Sequence, residues 1–252
     1  MAALSFYVGV IGNVISVLMF LAPVNTFWRI VENRSTEEFE SLPYVCTLLN
    51  AALWTYYGII KPGAYLVATV NGFGILVELV YVSLFLIYAS PKMKVKTGIT
   101  IALLDVGFLV AAVLVTRLAL VGDVRINATG FICAGLNIIM YASPLAAMKT
   151  VVTTKSVEFM PFLLSFFFFL NGAIWTFYAF LTADVFLGVP NGVGFVLGIA
   201  QIVLYLIYCR NGKRYNRNLI NDDVLEQGWQ YDTLFSPPSS SSSQPFHHQL
   251  LK

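Results

Sequence analysis

Two short stretches, Asn71-Gly72-Phe73-Gly74 (NGFG) and Asn191-Gly192-Val193-Gly194 (NGVG), repeat one pattern 120 residues apart. Each stretch opens an apolar run long enough to cross a membrane, and a tryptophan, Trp54 or Trp175, lies in the run before it. An unsatisfied amide in lipid costs several kcal/mol, so asparagine is rare there without a partner or a function. The same amide in two matching contexts therefore indicates an internal repeat and a polar site inside the membrane.

The composition is that of a membrane protein. The 252 residues are 58% hydrophobic and 11% charged, with a mean hydropathy of +0.77, whereas ordinary globular chains are about one quarter charged. Apolar runs of this length are typical of transmembrane helices. The net charge of +2, without a basic cluster interleaved with aromatic residues, disfavours a nucleic-acid partner.

The cysteines and the N-terminus add two negative predictions. Cys46, Cys133 and Cys209 lack metal-ligand spacing, so packing is their expected role, and neither a metal nor another cofactor is predicted. The first apolar stretch has no charged residues before it, so we expect it to be the first span and not a cleaved signal peptide.

Seven segments carry almost no charge and are predicted to be transmembrane helices, because backbone groups in lipid must be hydrogen-bonded within their own segment. Only Glu78, Asp105 and Arg117 would be formally charged within them. The predicted spans are Phe6–Trp28, Ser41–Ile60, Tyr65–Ser90, Ile99–Leu120, Ala128–Met148, Phe159–Ala183 and Val185–Cys209.

The distribution of lysine and arginine predicts the side that each loop faces, because cytosolic loops carry an excess of basic residues. Eleven of these residues fall on one side, and three fall on or beside the other. The first set is Arg29, Arg34, Lys92, Lys94, Lys96, Lys149, Lys155, Arg210, Lys213, Arg214 and Arg217, and the second is Lys61, Arg117 and Arg125. We therefore expect a cytosolic C-terminus and an N-terminus outside the cell or in an organelle lumen.

The chain changes character after the last span. From about Asn211 it is polar, and Ser236-Pro237-Pro238 is followed by a run of five serines. Such a segment cannot bury enough apolar area to order itself, so residues 211–252 are predicted to form a disordered cytosolic tail. His247 and His248 lie in this tail, and we expect them to be solvated and not to bind a metal.

An internal repeat sets the predicted architecture. A shift of 121 residues places Pro23 on Pro144 and Trp54 on Trp175, and a shift of 120 places NGFG on NGVG. Helices 1–3 thus repeat as helices 5–7 around a connecting helix 4, which predicts an all-α membrane protein in a 3+1+3 plan. Both repeats enter the membrane from the same side, so they are parallel, and a solute path is expected between them. The sequence thus predicts a first repeat at residues 1–90, a linker at 91–127, a second repeat at 128–210 and a tail at 211–252.

These features resemble the plant SWEET family of sugar facilitators. The resemblance covers about residues 5–210 and rests on the 3+1+3 plan, the paired Asn-Gly-x-Gly stretches, the matched prolines and the tryptophan of the second helix. It implies passive, bidirectional sugar movement by alternating access. Overall similarity and the pair Asn50/Asn171 favour the subgroup of the vacuolar membrane, with the plasma membrane as the alternative.

A count along the helices predicts that four residues share one layer. At 1.5 Å per residue, Asn71 lies roughly 9 Å from the outer end of its helix, and Asn191, Trp54 and Trp175 lie at about the same depth. Amides pair with vicinal hydroxyls and indole faces stack on a sugar ring, while the missing fixed charge disfavours amino acids, phosphates and ions. The other interpretation is that the asparagines join helices and the tryptophans anchor the membrane interface.

The resemblance also assigns residues around this layer. Four large side chains occupy positions that bear on substrate size in the family, which favours a monosaccharide such as fructose or glucose over sucrose: Asn50, Asn171, Met19 and Met140. The cytosolic gate would comprise hinge prolines, two closing aromatic residues and a hydrogen-bonding glutamine: Pro23, Pro43, Pro144, Pro161, Tyr44, Phe162 and Gln201.

The outer gate implied by the resemblance consists of Tyr57, Lys61 and Asp184. Lys61 and Asp184 would form an exposed ion pair when the outer side closes, worth about 0–1 kcal/mol. One departure from the family concerns Gly58, because Ala179 occupies the equivalent place in the second repeat. We therefore expect that the two halves need not flex equally.

The sequence supports other function classes less well than facilitated diffusion. Proton coupling is the main alternative, because Glu78 and Asp105 are intramembrane carboxylates, although neither has an acidic repeat partner. The short loops and the repeat disfavour a seven-helix receptor, and no catalytic constellation or phosphate-binding loop supports an enzyme or an ATP-driven pump. The expected partners are a small sugar and membrane lipid, and the sequence leaves a homo-oligomer open.

Overall fold

The computed structural model describes residues 2–157, 160 and 162–209, and all regular elements within them are helical. Pro161 and the predicted tail at residues 211–252 lie outside the described residues. The helices are α1 Ala2–Leu21, α2 Val24–Asn33, α3 Leu42–Ile60, α4 Tyr65–Tyr88, α5 Pro91–Ile101, the π-helical segment Ala102–Phe108, α6 Leu109–Ala119, α7 Gly122–Met140, α8 Ala142–Thr154, α9 Phe162–Thr182 and α10 Val185–Cys209.

Seven membrane-length helical spans result from these elements. In the described residues, six spans are long and apolar enough to cross a membrane: α1 with α2, α4, α5 through α6, α7 with α8, α9, and α10. The seventh, α3, has the length at 19 residues but more polar side chains, because it packs inside the bundle against α4 and α7 and lines the central cavity. The predicted all-α, 3+1+3 fold is confirmed.

Several helices extend beyond the predicted apolar segments. The linker span starts at Pro91, whereas the sequence predicted Ile99, and Ser90 caps it by accepting a hydrogen bond from the Met93 N–H at 3.4 Å. A capped helix continues through charged residues where its end leaves the hydrocarbon core, since water and headgroups solvate them. Hydropathy therefore locates the membrane-embedded part of a helix and not its ends.

Two spans bend close to predicted hinge prolines. The first changes from α1 to α2 at Pro23, which is the N-cap of α2, and the fifth changes from α7 to α8 at Tyr141, three residues before Pro144. Proline lacks an N–H and its ring clashes with the carbonyl four residues earlier, so a proline inside a helix favours a kink or a break. Pro43 differs, because it lies in the first turn of α3 and marks a helix start.

The two repeats pack on each other in a pseudosymmetric way. Helix α1 packs on α9, and α7, the equivalent of α1, reaches α3, the equivalent of α9. Matched glycines permit close approach inside each repeat. A Cβ on Gly9 would lie 2.5 Å from Leu66 Cδ1, and a Cβ on the equivalent Gly130 would lie 2.5 Å from Phe186 Cγ. The shift of 120 residues places Leu66 on Phe186, so both halves use the same contact.

The linker span is attached to the first repeat at both ends. At the end that is predicted to face the cytosol, Thr97 Oγ1 donates to Ser41 Oγ at 2.7 Å in a buried bond. At the outer end, the hydroxyl groups of Tyr56 and Thr116 lie 3.1 Å apart. Hydrogen bonds at both ends of α3 tie the linker to this helix, so linker and first repeat are expected to move together.

The loop after the first span is closed by a charged cluster. Glu37 accepts hydrogen bonds from the Arg29 guanidinium and, at 2.7 Å, from Asn33 Nδ2. The Arg29 guanidinium, followed by the Asn33 amide, holds the pKa of the exposed Glu37 carboxyl below its ordinary value. An ion pair between Lys96 Nζ and Glu40 at 2.7 Å joins the end of this loop to the linker.

Candidate functional site

A cavity of about 170 Å³ lies between the two repeats, far more than the roughly 10–15 Å³ that one water needs. None of its lining residues carries a charge. Seven of the residues predicted for substrate binding line it: Asn71, Asn191, Trp54, Trp175, Asn50, Asn171 and Met19. The structure thus brings together matched side chains that lie 120 or 121 residues apart in the sequence.

The two asparagines of the repeated stretches have equivalent hydrogen bonds. Asn71 Nδ2 donates to the Val67 carbonyl at 2.9 Å, and Asn191 Nδ2 donates to the Leu187 carbonyl at 2.8 Å. Both acceptors lie four residues earlier in the same helix, so these bonds do not join helices. Each amide keeps its oxygen and one N–H for a solute in the cavity.

The two tryptophans lie inside the bundle. Trp54 is 3% exposed and Trp175 is 5% exposed, which argues against the interpretation as membrane-interface anchors. Each indole meets a tyrosine edge to face, with ring centroids 5.3 Å apart, at Tyr57 in the first repeat and Tyr178 in the second. Each indole is therefore packed on a tyrosine of its own helix, beside the asparagine pair.

A further polar pair in the cavity, Ser16 and Asn137, was missed by the sequence analysis. Trp175 Nε1 donates to Ser16 Oγ at 2.9 Å, and Trp54 Nε1 donates to Asn137 Oδ1 at 3.3 Å. The shift of 121 residues places Ser16 on Asn137. A search for polar residues that the repeat pairs inside apolar runs would have found them.

Met140 is the predicted binding residue that the structure does not bring into the cavity. It ends α7, and the following Tyr141 directs its hydroxyl to the Pro190 carbonyl at 2.5 Å. In the first repeat the equivalent aromatic residue, Phe20, lines the cavity beside Met19. The second repeat therefore contributes a different set of side chains at this level.

The second glycine of each repeated stretch makes room for an aromatic side chain. A Cβ on Gly74 would collide with the Phe20 ring, and a Cβ on Gly194 would lie 2.7 Å from the Tyr141 hydroxyl oxygen. The first glycines, Gly72 and Gly192, have no neighbour closer than 4.0 Å to an added Cβ. Only the second glycine is thus required for close packing beside the bends of the first and fifth spans.

The predicted outer-gate residues meet above the cavity. Lys61 Nζ lies 2.7 Å from Asp184 Oδ2 and 3.0 Å from the Tyr57 hydroxyl, which donates to Asp184 Oδ1 at 2.9 Å. The Asp184 side chain is only 2% exposed, so the expectation of an exposed pair is wrong. Asp184 also accepts from the Leu187 N–H at 3.2 Å, because it lies at the start of α10.

The predicted cytosolic-gate aromatics stay within their own repeats. Tyr44 packs edge to face on Phe27 at 4.8 Å between ring centroids, and Phe162 packs on Tyr205 at 5.2 Å. Gln201 is buried in α10. In this conformation the contacts among the predicted outer-gate residues bridge the repeats, whereas these two aromatic contacts do not.

The two intramembrane carboxylates lie apart from the cavity lining. In the described part of the chain, Glu78 Oε2 and both carboxyl oxygens of Asp105 are buried without a hydrogen-bond partner. Asp105 lies in the π-helical segment of the linker, an irregularity that is frequent at functional sites.

The departure at Gly58 is matched by a second one on the neighbouring helix. A Cβ on Gly58 would lie 2.6 Å from the Ala68 backbone nitrogen. In the second repeat Ala179 faces Gly188, whose added Cβ would lie 3.4 Å from the Ala179 Cβ. The shift of 120 residues places Ala68 on Gly188. The glycine of this contact therefore lies on α3 in the first repeat and on α10, the equivalent of α4, in the second.

We expect Gly58→Ala to destabilise the protein and Ala179→Gly to be tolerated. The first change forces a Cβ against backbone and costs about 1–3 kcal/mol as overpacking, whereas the second costs at most about 1 kcal/mol in helix propensity. The melting temperature of each variant in detergent, with size-exclusion chromatography as the readout of folded protein, measures the effect. A Gly58→Ala protein with the wild-type melting temperature would contradict the tight contact.

Comparison with known proteins identifies the family of this chain. A family model described as "Sugar efflux transporter for intercellular exchange" matches residues 6–93 and 127–213. The chain belongs to this family. "Bidirectional sugar transporter SWEET17" of Arabidopsis thaliana is 66% identical over 214 residues, which cover 84% of this chain and 88% of the relative. "Bidirectional sugar transporter SWEET16" of the same plant is 62% identical and covers 82% and 91%, respectively.

A solved structure gives the same assignment. It is described as a eukaryotic SWEET transporter and superposes with a TM-score of 0.80 at 38% identity, covering 83% of this chain and 98% of the other. The resemblance inferred from the sequence is thereby confirmed, and the chain is a multi-pass membrane protein. These relatives are transporters by name and not enzymes, in agreement with the sequence, which contains no catalytic constellation.

Proposed function

We propose that this protein is a facilitative, bidirectional sugar transporter that moves a monosaccharide down its gradient by alternating access. The observation that carries the proposal is the uncharged cavity between parallel repeats, with paired amides and paired indoles. Amides offer both donors and acceptors to sugar hydroxyls, and buried aromatic faces cover the apolar side of a ring. The names of the relatives support the same function.

The cavity favours a small substrate. Asn50, Asn171 and Met19 line the cavity together with the paired asparagines and tryptophans. Side chains of this size leave less room than small residues would, so we propose fructose or glucose as the substrate and not sucrose. Asn71 and Asn191 would bind the sugar from opposite sides.

Alternating access is supported by the state of the two gates. Lys61, Asp184 and Tyr57 are joined across the repeats, as expected for a closed outer gate, while Tyr44 and Phe162 pack inside their own repeats. We propose that Pro23, Pro43, Pro144 and Pro161 act as hinges, that Tyr44 and Phe162 close the cytosolic side when the outer gate opens, and that Gln201 supports that closure.

Flux through proteoliposomes tests the proposal. The purified full-length protein is expected to equilibrate radiolabelled fructose or glucose in both directions, and sucrose much more slowly. Accumulation of a hexose above its outside concentration would contradict facilitated diffusion. Sucrose flux equal to hexose flux would overturn the choice of a monosaccharide.

Proton coupling is the second candidate, favoured by the unpartnered oxygens of Glu78 and Asp105. We expect a protonophore to leave initial hexose uptake unchanged, because neither carboxylate lines the cavity. Uptake with and without an imposed pH gradient measures this. Loss of uptake with the gradient abolished, reproduced by Glu78→Gln or Asp105→Asn, would establish coupling instead.

We further propose that the protein lies in the vacuolar membrane, with its N-terminus in the lumen and its C-terminus in the cytosol. The excess of lysine and arginine in the loops after the first, third and fifth membrane spans supports this orientation. A fluorescent fusion in plant cells distinguishes the vacuolar from the plasma membrane, and protease protection of a C-terminal tag reports the orientation. Cross-linking in the same membranes tests for a homo-oligomer.

A further inference from the structure

The two halves of the cavity contain a matched pair of indole hydrogen bonds. Trp175 donates to Ser16 at 2.9 Å, and Trp54 donates to Asn137 at 3.3 Å. The shift of 121 residues exchanges Trp54 with Trp175 and Ser16 with Asn137. The two bonds are therefore equivalent, and each joins one repeat to the other.

The two acceptors differ in their next contact. The Ser16 hydroxyl accepts from the indole and donates its own proton to Asn171 Oδ1 at 2.6 Å, since a hydroxyl is both acceptor and donor. In the other half, the Asn137 oxygen only accepts. Asn50, the equivalent of Asn171, has a buried oxygen without a hydrogen bond among the described residues. Ser16 thus completes a chain of bonds that the other half lacks.

This difference determines what each amide offers to a solute. The Ser16 hydroxyl holds the Asn171 oxygen, so the amide is fixed in one orientation that leaves its two N–H donors available to a solute. The Asn50 amide has no such partner, and it can turn to present either its oxygen or its N–H groups. An orphaned buried oxygen is also costly, which favours a turn toward any hydroxyl that enters the cavity.

We propose that Ser16 is a positioning residue that orients the Asn171 amide as a hydrogen-bond donor and thereby favours one orientation of a bound sugar over the orientation related to it by the pseudosymmetry axis. The inference rests on the proposed sugar transport. The hydroxyl that meets Asn171 accepts a hydrogen bond, whereas the hydroxyl that meets Asn50 donates or accepts. Two orientations related by the pseudosymmetry axis therefore differ in energy.

Sugar analogues distinguish these two roles of a hydroxyl. A deoxy analogue removes the hydroxyl, whereas a fluorodeoxy analogue keeps a weak acceptor and has no proton to donate. Competition with radiolabelled glucose and fructose uptake into proteoliposomes measures their apparent affinities. At one ring position we expect the deoxy analogue to bind about 10-fold more weakly than the parent sugar, which corresponds to the loss of one hydrogen bond. The apparent affinity of the fluorodeoxy analogue is expected to stay within about 3-fold of the parent sugar.

Variants of the polar pair test whether Ser16 causes this pattern. Ser16→Ala frees the Asn171 amide, so the difference between the two analogues at that position is expected to vanish, and Ser16→Thr, which keeps the hydroxyl, is expected to retain it. Asn137→Ser is the matched change in the other half. It supplies the hydroxyl that Asn50 lacks, and we expect a second position that tolerates fluorine. A purely structural role would change all affinities equally and leave the pattern intact.

The outcomes separate this inference from the proposed function. Equal loss with deoxy and fluorodeoxy analogues at every position of the wild type overturns it, and so does the wild-type pattern in Ser16→Ala. If Ser16→Ala does not fold, the patterns of the wild type and of Asn137→Ser decide. Absence of glucose and fructose flux in the wild type would refute the transport function itself.

Discussion

Replacing Asn71 or Asn191 by alanine is expected to abolish sugar flux and leave the protein folded. Each amide lines the cavity and is bonded only to its own helix among the described residues, so its loss breaks no contact between helices. What is lost is about two hydrogen bonds to sugar hydroxyls, or about 100-fold in flux at low sugar concentration. Hexose uptake into proteoliposomes measures the loss.

Asn13→Ala is the matched control. The Asn13 amide also donates to the carbonyl four residues earlier, Gly9 at 2.9 Å, but it additionally bonds to the Leu66 carbonyl at 3.0 Å and does not line the cavity. We expect this variant to lower the melting temperature and keep its flux, the reverse of Asn71→Ala. Normal flux in Asn71→Ala or Asn191→Ala would remove these residues from the binding site.

Removing the cation of the outer gate by Lys61→Met is expected to open the outer side. Asp184 would remain buried without its ion pair, and the cost to the closed state is about 2 kcal/mol, between the values for exposed and buried pairs. The ratio of closed to open molecules then falls by about 30-fold. Thr182 lines an outer cavity together with Lys61 and Asp184. The rate at which an impermeant maleimide alkylates a Thr182→Cys variant therefore measures the opening.

The partner substitution serves as the control for the gate. Asp184→Asn leaves Lys61 unpaired, but the Lys61 side chain is 23% exposed and retains contact with water, whereas Asp184 is 2% exposed. We therefore expect a smaller effect, and a double variant that reacts more slowly than Lys61→Met alone, because no buried charge is left unpaired. Equal and small effects of both single changes would show a weak latch, as the sequence alone had suggested.

Much of the site was predictable because the repeat supplies pairs. Asn71 with Asn191 and Trp54 with Trp175 were found from polar and aromatic residues at matching places, and their common depth followed from the rise of a helix. The prediction for Met140, which rested on its pairing with Met19, was wrong. The second repeat turns at Tyr141 and presents different side chains to the cavity. Ser16 was missed, since one serine in an apolar run is an unremarkable feature until its partner Asn137 is considered.

The sequence by itself determined the membrane spans, their repeat and the family, because lipid demands long apolar helices and a duplicated pattern persists in matching residues. Only the tertiary structure decided the burial of Asp184 and the hydrogen bond from Ser16 to Asn171. It also decided which helix carries the contact glycine, Gly58 in the first repeat and Gly188 in the second. Each of these contacts depends on how one helix is rotated against another. Local hydropathy does not encode that rotation, which side-chain packing sets only when all the helices are in place.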